Sequence, residues 1–443
     1  MPAPVRYERL ATDPHSRARL GRVATPHGVF DTPAFMPVGT RASVKGILPG
    51  LVRASGAQIL LNNTYHLMLR PGERLIEKMG GVHRFMGWDG PILTDSGGFQ
   101  AFSMADLNAI DEDGVTFKSI VDGSPVRLTP ERAIEVQNAL GPDIIMAFDD
   151  CPPARDEAHD DASGAEANVA GVASAGVEGD VPRAVLASRR ARDRDRVDYE
   201  RRLDESNART VRWLERCVQA HARPNDQALF GIVQGGTDLA RRERSARDVT
   251  AIDLPGYAIG GVAVGEDFAD IARVVRSTAP LLPEDRPRYL MGVGYPRDIV
   301  AAVRAGVDMF DCVLPTRNGR NAAAFVPEGV LKLRNARHAE DPGPIEEGCD
   351  CPACGRGGAG DAPAGWVPGY VPGGALCGGH FSRAYLRHLF MAGEMLGPIL
   401  VSLHNLRFYQ RLMGDLRRVI RSGEWEAFAS RWPCTRAAFE VEQ

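Results

Sequence analysis

No stretch of the 443 residues runs to eighteen or so uncharged apolar side chains, and the start MPAPVRYERLATDPHSRARL has no apolar core of signal-peptide length. Both absences exclude the usual membrane and secretory signatures, and a soluble cytoplasmic protein is expected. An excess of positive charge is missing too: 53 Lys and Arg stand against 57 Asp and Glu, a formal net charge of −4. A nucleic-acid partner would therefore be held by a local basic patch, not by the overall field. There is no disulfide framework either. Of 8 cysteines, Cys349, Cys351 and Cys354 crowd into one segment, while Cys151, Cys217, Cys312, Cys377 and Cys434 are scattered. That distribution suits a metal site in a reducing compartment.

What is present is enough hydrophobic residue, 44%, to bury a large core. Short apolar runs end in a polar or acidic residue followed by a loop: AQILLNNTYHL, GPILTDSGGFQ, PDIIMAFDDC, ALFGIVQGG, GYAIGGVAVGE, RYLMGVG and GVDMFDCVLP. They read as buried parallel strands. Helical stretches such as TPERAIEVQNAL, DESNARTVRWLERCVQAH and PRDIVAAVRAG lie between them, so the order is that of an α/β fold. In a (β/α)8 barrel, chemistry gathers where strands end, and Asp95, Asp149, Gln234, Gly261 and Asp311 all stand at such ends. That recurrence favours a (β/α)8 TIM barrel over an open sheet.

Two segments break the order. From about 154 to 197 the chain is rich in Ala, Gly, Asp and Arg with almost no large apolar residue, and is expected to be a mobile insertion. Its RDRDR run reads as a solvated tether, because acids alternate with the arginines. The second break, at about 355–380, is a Gly/Pro-rich loop inside a zinc subdomain. The expected organisation is a catalytic barrel over 1–348, a zinc subdomain over 349–404 and C-terminal helices over 405–443 packed on the barrel.

The C-x-C-x-x-C spacing can set three thiolates around one tetrahedral ion. Cys377, His380, His388 and His404 are candidates for the fourth ligand, and spacing does not rank them. A fully protein-ligated ion leaves no open position, so a structural role is expected. In TDSGGFQ, Gly97 and Gly98 free the backbone beside Asp95 to approach a ligand closely. One such acid carries little weight; three, with Gln234 and Gly261, make a pocket.

At this point the sequence resembles the tRNA-guanine transglycosylase family. TDSGGFQ, IMAFDDCPP, LFGIVQGG, GYAIGGVAVGE, YLMGVG, GVDMFDCVLPTRNGRNAAAF, CDCPAC, SRAYLRHL and HNLRFYQRLM stand in the family's order and span nearly all of the chain outside the two insertions. The resemblance implies Asp311 as nucleophile at C1′ of the target ribose and Asp95 as general acid/base. It implies that Asp149, Gln234 and the backbone of Gly261 and Val262 read the base edge, that Phe99 stacks on the purine with Met291 opposite, and that Cys151 lines the pocket. It implies His404 as the fourth zinc ligand, with Cys377 and His380 in an inserted loop.

Base exchange with retained configuration needs two inversions, hence a carboxylate that forms and releases a covalent glycosyl intermediate. A second carboxylate must manage the proton of the leaving purine. Arg317 and Arg320 in PTRNGR follow the nucleophile, where guanidinium groups suit phosphates or flanking bases of an anticodon loop. In the family, Cys and Val at the positions of Cys151 and Val264 go with bacterial enzymes that insert 7-aminomethyl-7-deazaguanine into GUN-anticodon tRNAs during queuosine biosynthesis. The extra RNA-binding domains of archaeal relatives are not expected, and a homodimer is. Two rivals are a non-catalytic partner subunit, against which all three acids stand, and a barrel glycosidase acting on small molecules, which needs neither the zinc cluster nor the arginines.

Overall fold

The computed structural model describes residues 4–103, 109–152, 199–263, 265–355 and 380–441. The expected insertion at 154–197 and the loop at 355–380, apart from its two end residues, lie outside these, as do Cys377 and Val264.

Eight parallel strands form one sheet: β1 (Ala34–Pro37), β2 (Leu60–Asn62), β3 (Ile92–Thr94), β4 (Ile144–Met146), β5 (Ala228–Val233), β6 (Gly256–Ile259), β7 (Arg288–Leu290) and β8 (Met309–Cys312). Their spatial order is β1-β8-β7-β6-β5-β4-β3-β2, and a parallel bridge between Val38 and Leu61 joins the two edges. The sheet is thus closed, which removes its edges. Helices such as Pro130–Leu140, Leu239–Thr250, Phe268–Thr278 and Pro296–Arg304 connect the strands from outside. Local signals set their ends. Thr129 caps Pro130–Leu140 by accepting the Arg132 N–H at 3.2 Å, Pro130 supplies a helix-ready φ, and Gly141 closes the helix in the left-handed region.

The period-2 alternation of strands sorts side chains between lumen and helices. Ile144 and Met146 join the inner cluster with Phe230, Ile232, Ala258, Tyr289 and Met309. Ile145, Leu229, Val233, Ile259, Leu290 and Phe310 join the outer one. Continuing that alternation past the strand ends aims Asp95, Gln234 and Asp311 into the lumen.

A three-stranded antiparallel sheet, Arg6–Thr12, Arg19–Thr25 and Gly28–Thr32, plugs the N-terminal end through Val5, Val23 and Phe30. It is latched by buried acids at the starts of two strands. Asp308 pairs with Arg19 and accepts from Tyr7 Oη at 3.1 Å. Asp143 holds His27 Nδ1 at 2.8 Å and His83 Nε2 at 3.1 Å, with the two imidazoles stacked at 3.6 Å. At the other end of the sequence one long helix, Leu396–Ser422, lies against β1, where Gln410 Nε2 donates to Phe35 O at 3.1 Å. Among the described residues, no helix is long and apolar enough to cross a membrane.

Candidate active site and metal centre

A cavity of about 750 Å³ opens at the C-terminal end of the barrel and brings together Asp95, Asp149, Gln234, Gly261, Met291 and Asp311. Asp95 is held most tightly. Its carboxylate accepts from Asn63 Nδ2 at 2.5 Å, Thr64 N–H at 2.8 Å and Gln100 Nε2 at 2.8 Å. Burial pushes its pKa up to about 6 against those three bonds, and the charge of Asp311 adds to the rise. It is therefore poised for proton transfer near neutral pH.

Asp311 is held on one side only. Oδ1 accepts from Tyr289 Oη at 2.6 Å and from Gly292 N–H at 2.8 Å, which leaves Oδ2 facing the cavity. Burial raises its pKa while the two bonds oppose the rise. Burial and the neighbouring Asp311 charge in turn keep the Tyr289 hydroxyl protonated far above its ordinary range, so it stays a donor. Asp149 accepts from Gln234 Nε2 at 2.6 Å and from Ser96 Oγ at 3.4 Å; burial, with a contribution from the Asp150 charge, pushes its pKa up to about 7. Asp150 is itself clamped by Arg202 and Arg209 of the helix Tyr199–Ala220 at 2.5 and 2.6 Å.

Phe99 and Cys151 also line the cavity, as does Arg317, in the helix Leu314–Arg320 that follows β8. Two residues, one expected to act through its backbone and one on the RNA side, are not part of its lining. The Val262 side chain is buried in the outer core, leaving only its backbone near the site, and Arg320 is half-buried outside the lining. Burial and the Arg317 charge lower the pKa of Arg320, as befits two cations placed close together. Four residues that sequence reasoning missed complete the arrangement: Asn63, Ser96, Gln100 and Tyr289. All four lie within the sequence motifs, Asn63 in AQILLNNTYHL, Ser96 and Gln100 in TDSGGFQ and Tyr289 in RYLMGVG, and only their side-chain partners were invisible.

The second constellation is built on the HN pair. Cys349, Cys351, Cys354 and His404 are all buried, with ligand atoms within 4.8 Å of one another. His404 Nδ1 lies 3.7, 3.4 and 3.4 Å from the sulfurs of Cys349, Cys351 and Cys354. His404 Nε2 stands 2.7 Å from Phe325 O, and a carbonyl only accepts, so the ring proton is there and the Nδ1 lone pair faces the sulfurs. Asn405 fixes the same strand by accepting the Phe325 N–H at 2.8 Å and donating to Ala323 O at 3.0 Å. The cluster can hold a metal ion. His380 instead meets Pro342 O at 2.7 Å on the surface, and His388 is exposed.

Comparison with known proteins places the chain in a family. A family model described as Queuine tRNA-ribosyltransferase matches residues 13–167 and 194–438. A protein of that name from Symbiobacterium thermophilum is 48% identical over 432 residues, covering 97% of this chain and 92% of its own length. One from Thermus thermophilus is 49% identical over 425 residues, 96% and 93% of the two chains, and one from Ruegeria pomeroyi is 44% identical over 438 residues, 98% and 99%. The chain belongs to the queuine tRNA-ribosyltransferase family, the tRNA-guanine transglycosylases whose motifs it carries.

Proposed function

We propose that this protein replaces guanine at the wobble position of GUN-anticodon tRNAs with 7-aminomethyl-7-deazaguanine, a step toward queuosine, by double displacement. The observation that carries the reading is the pairing, in one cavity, of Asp311 with a single oxygen left open and Asp95 with a pKa of about 6. Asp311 Oδ2 attacks C1′, the C1′–N9 bond breaks and its electron pair goes to the purine, which takes a proton from Asp95. Guanine leaves. The incoming base loses its N9 proton to Asp95, attacks C1′ and releases the Asp311 carboxylate, so configuration is retained.

Asp149 accepts from N1–H and the exocyclic amine of the guanine-like edge, and those two donors favour its charged form over the neutral one that burial promotes. Phe99 and Met291 cover the ring faces. The half-buried Arg317 and Arg320 take the phosphates that flank an extruded base of the anticodon loop. Cys151 at the wall supports the small aminomethyl base over bulkier queuine.

Zinc fits the metal cluster. Bonds of about 2.3 Å to sulfur and about 2.0–2.1 Å to nitrogen at tetrahedral angles put S and N about 3.6 Å apart, and the separations in the cluster are 3.4–3.7 Å. Cys349, Cys351, Cys354 and His404 would hold one structural zinc per chain, which supplies folding energy and no reactive position. Its thiolates support a reducing, cytoplasmic setting. A homodimer is supported by exposed apolar side chains at Tyr385, Met391, Met395 and Leu396, beside the stacked rings of Phe381 and Tyr385; a monomer at working concentration in sedimentation would oppose it.

The test is incorporation of labelled guanine, 7-aminomethyl-7-deazaguanine and queuine into one GUN-anticodon tRNA. Release of guanine without exchange would favour a hydrolase. With a guanine-like inhibitor, a covalent complex should survive denaturing electrophoresis, and Asp311→Asn should abolish it with tRNA binding intact. Persistence in Asp311→Asn and loss in Asp95→Asn would reverse the two roles.

A further inference from the structure

Behind the base-reading wall lies a cation that the mechanism above does not use. Arg242, in the helix Leu239–Thr250 after β5, is fully buried. Its guanidinium reaches four backbone carbonyls: Nε donates to Gly236 O at 2.8 Å, Nη1 to Val233 O at 3.0 Å and Gly260 O at 2.7 Å, and Nη2 to Gly261 O at 2.9 Å. Val233 and Gly236 flank Gln234 at the end of β5, and Gly260 and Gly261 are successive residues past the end of β6. One side chain ties together the two strand ends that face the purine edge.

The direction of these bonds decides what the wall presents. A trans peptide is planar, with its C=O and the following N–H on opposite sides. Gly260 O and Gly261 O are drawn toward Arg242, which does not line the cavity, so the N–H of Gly261, which does line it, turns the other way, toward it, and the N–H of Val262 turns away from the guanidinium. Among the described residues neither N–H donates to a partner. Gly261 sits at φ +62°, and a Cβ there would lie 2.3 Å from Gln234 Oε1, so glycine is required and the peptide is wedged in place. The wall offers donors and withholds its acceptors.

We infer that Arg242 is a positioning residue which, by locking these two peptides, makes the site select a 6-oxopurine over a 6-aminopurine; the assignment rests on the base-exchange reading above. A carbonyl oxygen at position 6 accepts from the Gly261 N–H, whereas an amine there sets donor against donor. If the peptides were free to turn, a glycine carbonyl would meet the amine and the distinction would shrink.

The test uses full-length enzyme with a GUN-anticodon tRNA and compares wild type with Arg242→Met and Arg242→Lys. The readouts are KM for labelled guanine, kcat, and the binding of guanine and of 2,6-diaminopurine, whose position 6 carries an amine. The second base also lacks N1–H and so loses a bond to Asp149, but that loss is common to all three enzymes. In Arg242→Met, KM should rise on the order of tenfold with kcat within a few-fold, and the preference for guanine should contract by a similar factor. Arg242→Lys keeps the cation but reaches fewer carbonyls, and should fall between. Melting temperature and metal content identify variants that fail to fold. A folded variant with unchanged KM and unchanged preference overturns the inference, as does a fall in kcat at constant KM. Wild type alone also decides: equal affinity for the two bases overturns it without any variant. Failure of the base-exchange reading looks different, since wild type would then incorporate no guanine while the two binding measurements still test Arg242.

Discussion

Replacing Tyr289 with phenylalanine would remove one hydroxyl and leave the buried ring, so the change falls on the 2.6 Å bond to Asp311 Oδ1. Gly292 N–H, at 2.8 Å, would remain as the donor to that oxygen. A hydrogen bond to a charged group contributes about 1.5–3 kcal/mol, and about 1.4 kcal/mol is one pH unit or one factor of ten. The bond stabilises the ionised form of Asp311, so its loss moves the pKa upward, in the direction in which burial already pushes it. Attack needs the carboxylate. The acid limb of the rate should therefore shift to higher pH by about one to two units, with a loss of about ten- to a hundredfold below it. Well above the limb the gap should narrow, because the less stabilised carboxylate is the stronger base. Single-turnover formation of the covalent enzyme–tRNA complex across pH measures both. An acid limb that superimposes on that of wild type would refute the argument that Tyr289 acts through the charge of Asp311, and a uniform loss at every pH would mean that the hydroxyl only sets geometry.

Asp149→Asn turns one acceptor into a donor that faces a donor, so guanine affinity should fall by about 1.5–3 kcal/mol. In wild type, guanine binding should strengthen as pH rises through about 7, where Asp149 ionises, and the variant should lose that dependence in titration calorimetry. His404→Ala should lose metal and melt earlier, whereas His380→Ala should do neither, by metal analysis and thermal denaturation. Burial alone would raise the pKa of Asp143, but bonds from His83, Ile92 N–H and His27 bring it below the ordinary carboxylate range. A depressed pKa means stability that is present above the unfolded value, about 3.9, and lost as pH falls through the folded one. Asp143→Asn should accordingly flatten the acid side of the Tm–pH curve, and an unchanged slope would remove Asp143 as its source.

Seven of the eight barrel strands were legible because each is a short apolar run that ends in a loop, and where a polar residue closes the run, as at Asp95, Gln234 and Asp311, alternation aims it into the lumen. β1 was not. It is four residues, Ala34–Pro37, with Pro33 before it and Pro37 at its end, and proline argues against a central strand. Asp95 and Asp311 could be found as strand-end acids, but Tyr289 reads as an ordinary strand aromatic in RYLMGVG. Its role exists only through the β7–β8 register, Tyr289 opposite Met309 and Leu290 opposite Phe310, which sets its hydroxyl beside Asp311. Arg242 was hidden for the same reason, since its partners are carbonyls that carry no sequence signal. The thiolate cluster was local and visible. Its fourth ligand, some fifty residues on, was separated from His380 and His388 only by the family resemblance, because a helix and an intervening loop decide which imidazole returns to the sulfurs.

In the mechanism proposed above, the charge of Asp311 also acts on the proton of Asp95. Burial chiefly raises the pKa of Asp95 and the charge on Asp311 adds to the rise, while the bonds from Asn63, Thr64 and Gln100 lower it. Before attack, with Asp311 ionised, the pKa of Asp95, pushed up to about 6, lets it carry the proton that the leaving purine needs. Attack turns the Asp311 carboxylate into a neutral ester. The repulsion then vanishes, the three donors on Asp95 act unopposed by that charge, and its pKa falls. Once the purine has taken the proton, that fall favours Asp95 as the carboxylate, the form that accepts the N9 proton of the incoming base. When the new glycosidic bond forms, Asp311 regains its charge and Asp95 its readiness to hold a proton. On that mechanism the same pair of side chains serves as acid in the first displacement and base in the second, and the loss of the Asp311 charge in the ester favours the change of role.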